Sequence, residues 1–395
     1  MASVIYSRIG KVNNKLKNIL IYLSLPVQIV VVQIIAANPL LVEKFYTGLF
    51  YKKLSHFLRI LFGDFSFPIG QILFYSLVTG LLIAIVKHIR KLILRQISFK
   101  EFGRSSLLGV FTFLSIFYFL FTGMWGLNYH RRPIEEIVQI KEEPVSKAEL
   151  ELLCRRLIQL TNASRQQLTQ DQKHALRLPI THNQMLAQAT AGFQRVAKVF
   201  PELAYAHYSV KAVYVPQVMS YFGVSGIYFP FTGEANVNMH PPAYLLPGTI
   251  CHEMAHQIGF ASEDEANFVS YLVCRLNPNP FFEYSGNYMA LRYAMNRLRK
   301  INPRAYKKMQ RYYSAGLKQD LVENRRYWES FQNPIEVFSE WFYDLFLKAN
   351  DQKDGIKSYS KVVELLMGEF RKNNLNYPVK TFPGPKNKFL LLNQR

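Results

Sequence analysis

His252, Glu253 and His256 stand in the string Cys251-His252-Glu253-Met254-Ala255-His256, an HExxH pattern. The spacing has a mechanical meaning: side chains four apart share one face of a helix, so the two imidazoles can bind one Zn²⁺. The carboxylate one position after the first histidine projects close to such a metal without binding it. There it can take a proton from a water that the metal acidifies and later hand one to a leaving group. His252 and His256 are therefore the expected metal ligands and Glu253 the expected general base and acid.

A catalytic zinc takes three protein ligands and keeps one position open. The helix expected over 247–258 ends at Gly259, which suits a left-handed turn. Ser262 can cap the next helix, with Glu265 three residues on closing a capping box. The chain thus reverses after the two histidines and returns an acidic first turn towards them. Either Glu263 or Glu265 can supply the third ligand. Glu265 already has a structural use as the capping partner, whereas Glu263 has none and opens an E-x-x-A-N pattern with Ala266 and Asn267. Ala266 permits close helix packing, and Asn267, one turn on, can hold a ligand in place from behind.

The run HEMAHQIGF followed by SEDEANF resembles the zincin metallopeptidases, in particular the gluzincin branch, which takes a glutamate from a following helix. Its E-x-x-A-N piece is similar to the E-x-x-A-D/N stretch of membrane CAAX-protease-type and small bacterial regulatory zincins. The resemblance implies Glu263 as the ligand, Zn²⁺ as the cofactor and hydrolysis of a peptide or protein substrate. The sequence departs from those families in having only six residues between His256 and Glu263, a gap nearer to the compact metzincin turn. Over its whole length the chain resembles an uncharacterised bacterial family with three N-terminal membrane helices and an HExxH domain. Two other functions compete with peptidase: a zinc amidase acting on a non-peptide amide of cell-wall type, and a non-catalytic membrane scaffold or regulator. The intact Glu253 argues against the scaffold, since a pure binder needs no base.

Several elements must position these residues. A capping box at Ser146 and Glu149 opens a helix running to about Leu168, and another helix is expected over 184–200. Segments 210–215 and 226–238 are rich in Val, Tyr, Phe and Ile and read as strands. In zincins an edge strand beside the metal helix pairs with extended substrate backbone, a role that 226–238 would fill. After them the pattern is helical almost to the end. A peptidase also needs a donor for the oxyanion at the attacked carbonyl, and Tyr284, Tyr288 and Tyr359 are the candidates.

The N-terminal third is of another kind. Residues 18–42, 65–86 and 105–129 carry no Asp, Glu, Lys or Arg, and runs of 25, 22 and 25 residues exceed the roughly 20 needed to cross a bilayer core. The expected architecture is an α-helical membrane domain over 1–128, with three transmembrane helices at about 19–42, 65–86 and 105–129. A mainly helical α+β zincin-like domain with a small sheet follows over 129–395. The N-terminal tail and the 87–104 loop carry ten basic residues against eight on the other side. The positive-inside rule then puts the N-terminus in the cytoplasm and the catalytic domain outside it, at the cell membrane.

The net charge of +21 over 395 residues invites a nucleic-acid reading, but no binding module supports one, and no nucleic acid is expected. Residues 1–128 contribute +11, largely as topology signal, and Arg292–Arg326 alone contributes +9. That second segment interleaves Tyr, Met and Leu with its charges and is expected to form a basic helical pair able to contact anionic lipid. Cys154, Cys251 and Cys274 form no CxxC pair and define no disulfide framework.

Overall fold

The computed structural model describes residues 2–141, 143–350 and 361–372. They are mostly helical and divide into two compact units, each described by itself. The first takes in the chain up to Ser55 together with Ile69–Arg132 and Pro230–Thr232. The second takes in His56–Pro68, Pro133–Phe229 and the chain from Gly233 on.

In the first unit α1 (Ala2–Ala36) is followed by a single turn, α2 (Pro39–Leu41), then by a π-helical run over Val42–Tyr51; α3 (Lys52–Gly63) starts there and belongs from His56 on to the second unit. Helices α4 (Ile69–Ile93) and α5 (Phe99–Met124) complete it. Three helices are long and apolar enough to cross a membrane, at Asn18–Ala36, Ile69–Ile93 and Phe99–Met124. Their limits differ from the uncharged runs for local reasons. α1 stops at Ala36 because Pro39 disfavours helical backbone at Asn38, whose side chain instead accepts the Leu41 amide to cap α2. α4 begins only after Pro68 and continues through Lys87, Arg90 and Lys91. α5 is opened by a capping box between Ser98 and Glu101 and gives way at Trp125 to a 3-10 turn. α1 and α5 meet through polar contacts, Ser24 and Gln28 both lying 2.8 Å from the Ser115 hydroxyl. Elsewhere these helices present Leu, Ile, Val and Phe outwards, as lipid-facing helices do.

The second unit begins with α6 (Ile134–Ile137), α7 (Lys147–Leu168) and α8 (His182–Val196). Capping boxes at Ser146 with Glu149 and at Thr181 with Gln184 start the two longer helices. β1 (Val210–Ala212), α9 (Pro216–Tyr221), β2 (Gly226–Phe229) and β3 (Glu234–Val237) follow. The sheet order is β1-β3-β2, with β1 parallel and β2 antiparallel to the central β3, so β2 is an edge. Seven helices come next: α10 (Leu246–Gln257), α11 (Glu263–Leu276), α12 (Pro280–Ile301), α13 (Pro303–Met309), α14 (Ala315–Glu329), α15 (Pro334–Ala349) and α16 (Lys361–Lys372). The core forms around α10 and α11, which bury nearly every residue: Ile250, Met254 and Ala255 on one, Phe268, Val269 and Val273 on the other. Gln257 ties the end of α10 to the sheet by donating to the carbonyls of Ser209 and Gly233.

The basic segment from Arg292 to Arg326 is spread over three helices, α12, α13 and α14. Its apolar residues Met295, Leu298, Met309, Tyr313 and Leu317 are buried in the core of their own unit. They stabilise that core, while Ile301, Tyr312 and Val322 stay exposed among the segment's charges.

Candidate metal centre

The turn between α10 and α11 builds the site. Gly259 adopts φ +91°, the left-handed conformation that a side chain opposes, and lets the chain reverse directly after His256. Ser262 is the N-cap of α11 by backbone position, but its side chain makes no cap hydrogen bond. The expected capping box with Glu265 does not form, because Glu265 Oε1 accepts the backbone amide of Ile134 at 2.8 Å. Glu265 is thus committed to a distant segment, and Glu263 faces the histidines.

His252 Nε2 and His256 Nε2 lie 3.1 Å apart. Glu263 places Oε2 at 3.3 Å from the first and Oε1 at 3.5 Å from the second. Among the described residues these three form the only His/Cys/Asp/Glu group arranged to hold a metal ion. Zinc bonds of about 2.0–2.1 Å at tetrahedral angles put ligand atoms about 3.3–3.4 Å apart, close to the spacing of the two Nε2 atoms and to the distance from each of them to its nearer Glu263 oxygen. His256 Nδ1 is 2.7 Å from the Phe260 carbonyl, so it carries the proton there and turns an unprotonated Nε2 towards the cluster. His252 and Glu263 each keep a little over a tenth of their side chains exposed, which leaves one side of the cluster open to water.

Glu253 is buried beside the cluster, and its Oε2 has no hydrogen-bond partner. Burial raises its pKa above the usual carboxylate range, against the pull of His252 and His256. Burial alone would lower His252, but the hydrogen bond and charge of Glu263 outweigh it and raise that imidazole. Glu263 itself is held well below its ordinary value: the two histidines overcome the cost of burying its charge. Asn267 lies against His252, adding a small further contribution to its proton affinity, and its own amide nitrogen is buried without a partner.

Two contacts at this site had no local signal. Tyr343 of α15 donates its hydroxyl to Glu263 Oε1 across 80 residues of sequence. Gly226, the first residue of β2, lies so close to Glu253 that a Cβ there would come within 2.4 Å of Oε1. The edge strand therefore runs beside the carboxylate expected to act as base.

The tyrosines expected to serve the oxyanion lie elsewhere. Tyr284 and Tyr288 are buried on α12, with Tyr284 donating to Asp320 and Tyr288 packed on Tyr244. The Tyr284 hydroxyl is thereby engaged in a core cluster, and Tyr288 belongs to the same packing. Tyr359 lies outside the described residues. His240 binds the Tyr327 hydroxyl at 3.0 Å on an exposed surface, separate from the cluster.

A family described as "Protein of unknown function (DUF3810)" matches residues 46–367. No curated protein and no solved structure matches the chain.

Proposed function

Because the chain belongs to the DUF3810 family, whose description assigns no activity, we propose a function from the site itself: a membrane-anchored, zinc-dependent metallopeptidase. The observation that carries this reading is that two imidazole Nε2 atoms 3.1 Å apart, each within 3.5 Å of an oxygen of the Glu263 carboxylate, come together from two helices, with one ligand atom of each residue within 4.8 Å of the others. His252, His256 and Glu263 would hold the ion. When bound, zinc supplies a Lewis acid that polarises a carbonyl and makes a water acidic enough to attack it.

The remaining work falls to the chain. Glu253 Oε2, buried and unpartnered, receives the water's proton and returns it to the departing amine nitrogen; its raised pKa suits both halves of that transfer. The Phe260 carbonyl fixes the His256 tautomer, and Tyr343 orients the Glu263 carboxylate. The edge of β2 beside Glu253 offers backbone groups to an extended chain, which favours a peptide substrate over a compact amide. On the charge bias of the loops, this unit sits on the extracytoplasmic face of the cell membrane, and the basic outer face of Arg292–Arg326 meets anionic headgroups.

The test is metal content and cleavage in the purified full chain. Wild type should hold one zinc per chain, and His252→Ala none. Glu253→Gln should keep the zinc yet hydrolyse unstructured peptides at least about 100-fold more slowly. A wild-type chain free of stoichiometric zinc at neutral pH sinks the proposal.

A further inference from the structure

Helix α15 is amphipathic in the opposite sense to a helix on a water-facing surface. At about 100° per residue, Ile335, Val337, Phe338, Trp341, Phe342 and Leu345 occupy one continuous arc of about 160°. All six point outwards, with 52% to 67% of each exposed. The inward side carries the polar residues: Tyr343 bonds Glu263, and Glu336 lies against Gly223. Only Leu347 on this helix is fully buried among its apolar residues.

The outward patch does not stop at α15. Asn333, its N-cap, donates to the Tyr221 carbonyl at 2.8 Å, and the Phe331 ring meets Tyr221 at 5.0 Å. These contacts join α15 to α9 and the turn after it, where Val218, Tyr221 and Phe222 are also exposed. A patch of this extent on a water-facing surface marks a contact site.

We propose that this face is a bilayer-contact surface, with α15 lying in the boundary between headgroups and acyl chains. Three features select lipid as the occupant. The chain itself carries three helices long and apolar enough to cross a membrane, so a bilayer is tethered to this surface at all times. One Trp and two Phe within five residues are the side chains that settle at a membrane interface. Lys348 falls within the arc near its C-terminal end and is paired with Asp344 at 2.6 Å, while Glu340 lies about 60° beyond the arc, so the face carries no unpaired charge, which suits an apolar contact with neutral lipid. None of this depends on a metal at the His–Glu cluster, so the contact stands or falls separately from the peptidase reading.

The three native cysteines are buried, which leaves an introduced surface thiol open to selective labelling. Val337→Cys and Leu345→Cys, two turns apart on the outer arc, would be labelled with an environment-sensitive fluorophore in the full chain. Gln159→Cys, on the exposed side of α7, is the reference. The variants are reconstituted in phosphatidylcholine vesicles with or without lipid carrying a doxyl group on its acyl chain. Doxyl lipid should quench both α15 labels at least about twofold more than the reference label, and aqueous iodide should quench them less. Quenching equal to the reference overturns the proposal. So does protection from iodide without doxyl quenching, which would assign the face to a second copy or another protein. Two labelled positions keep the result readable if one variant fails to fold.

Discussion

Two of the polar clusters buried in the second unit are built on different terms. In the first, Asp320 of α14 accepts Arg165 Nε at 2.7 Å, the Leu176 amide at 2.6 Å and the Tyr284 hydroxyl, and its backbone carbonyl takes the Tyr244 hydroxyl. Arg165 spends its other donors on the carbonyls of Asp171 and His174. The Asp320 and Arg165 groups there answer one another, although the neighbouring Tyr288 hydroxyl and Asn324 Oδ1 are buried without partners. In the second, His252, His256 and Glu263 crowd three ligand atoms together, while Glu253 Oε2, His252 Nδ1 and Asn267 Nδ2 are buried without partners. A buried polar atom left unpaired costs about 1–3 kcal/mol, so a chain keeps several in one place only against a gain elsewhere. A saturated cluster holds helices together. An unsaturated one is what a bound metal, as proposed above, would account for.

The largest effect that would break this contrast belongs to the saturated side. Asp320→Ala leaves Arg165 buried with no counter-charge and should cost about 3–5 kcal/mol of stability. Denaturant unfolding of the full chain in detergent measures it, and zinc content per folded molecule should be unchanged. A mild loss of stability, or a loss of metal at full stability, would mean that the two clusters are not separate devices.

Ligand linkage comes next. Zinc at a hundredfold excess over its dissociation constant should stabilise the protein by about 2.7 kcal/mol, seen as a rise in melting temperature. His256→Ala should abolish the rise and leave the metal-free melting temperature near that of wild type. Asp320→Ala should retain the rise from its lower starting point. A zinc effect of equal size in His256→Ala would place the metal somewhere else.

Tyr343 offers a finer probe. Tyr343→Phe removes one hydrogen bond to Glu263 and no packing of consequence, so zinc affinity should fall about tenfold with little change in stability. Competition with a chromophoric chelator reads that shift. Unchanged affinity would make the contact a helix-packing bond only.

These clusters also differ in how far they can be read from the chain. The metal cluster is local: two histidines one helical turn apart, a glycine that turns the chain, and a glutamate seven residues after His256, all set by helix periodicity and turn chemistry. That is why the HExxH helix, the Gly259 turn and the placement of Glu263 beside the two histidines were legible, as were the Ser146 capping box and the three apolar helices. What was not legible comes from tertiary neighbours. Glu265 had a sound local role as a capping partner, and a backbone amide 131 residues away won it instead. Tyr343 reaches the site on α15, an element whose position no spacing rule encodes, whereas β2 lies where the resemblance put an edge strand and only the close approach of Gly226 to Glu253 had no signal. Tyr284 and Tyr288 were attractive because they follow the ligand helix, yet α12 turns them towards α14 and Asp320. The basic run from Arg292 showed its interleaved apolar residues but not that most of them, Met295, Leu298, Met309, Tyr313 and Leu317, face inwards.

The smallest expected effect is a slope. Burial raises Glu253, and Glu263 raises His252, so in the metal-free folded chain both hold their protons to higher pH than in the unfolded chain. A folded state that binds more protons loses stability as pH rises. Glu263, held low, opposes this up to the ordinary carboxylate range; above that range these two groups should lower the metal-free melting temperature as pH rises through the raised value of His252. Zinc needs the unprotonated imidazole, so its stabilisation should grow over the same interval. Melting curves with chelator and with excess zinc should therefore diverge as pH increases. Glu253→Gln should flatten the lower-pH part of the chelator curve and leave the divergence near His252 in place. Parallel curves would mean that the protons and the metal do not compete for one cluster.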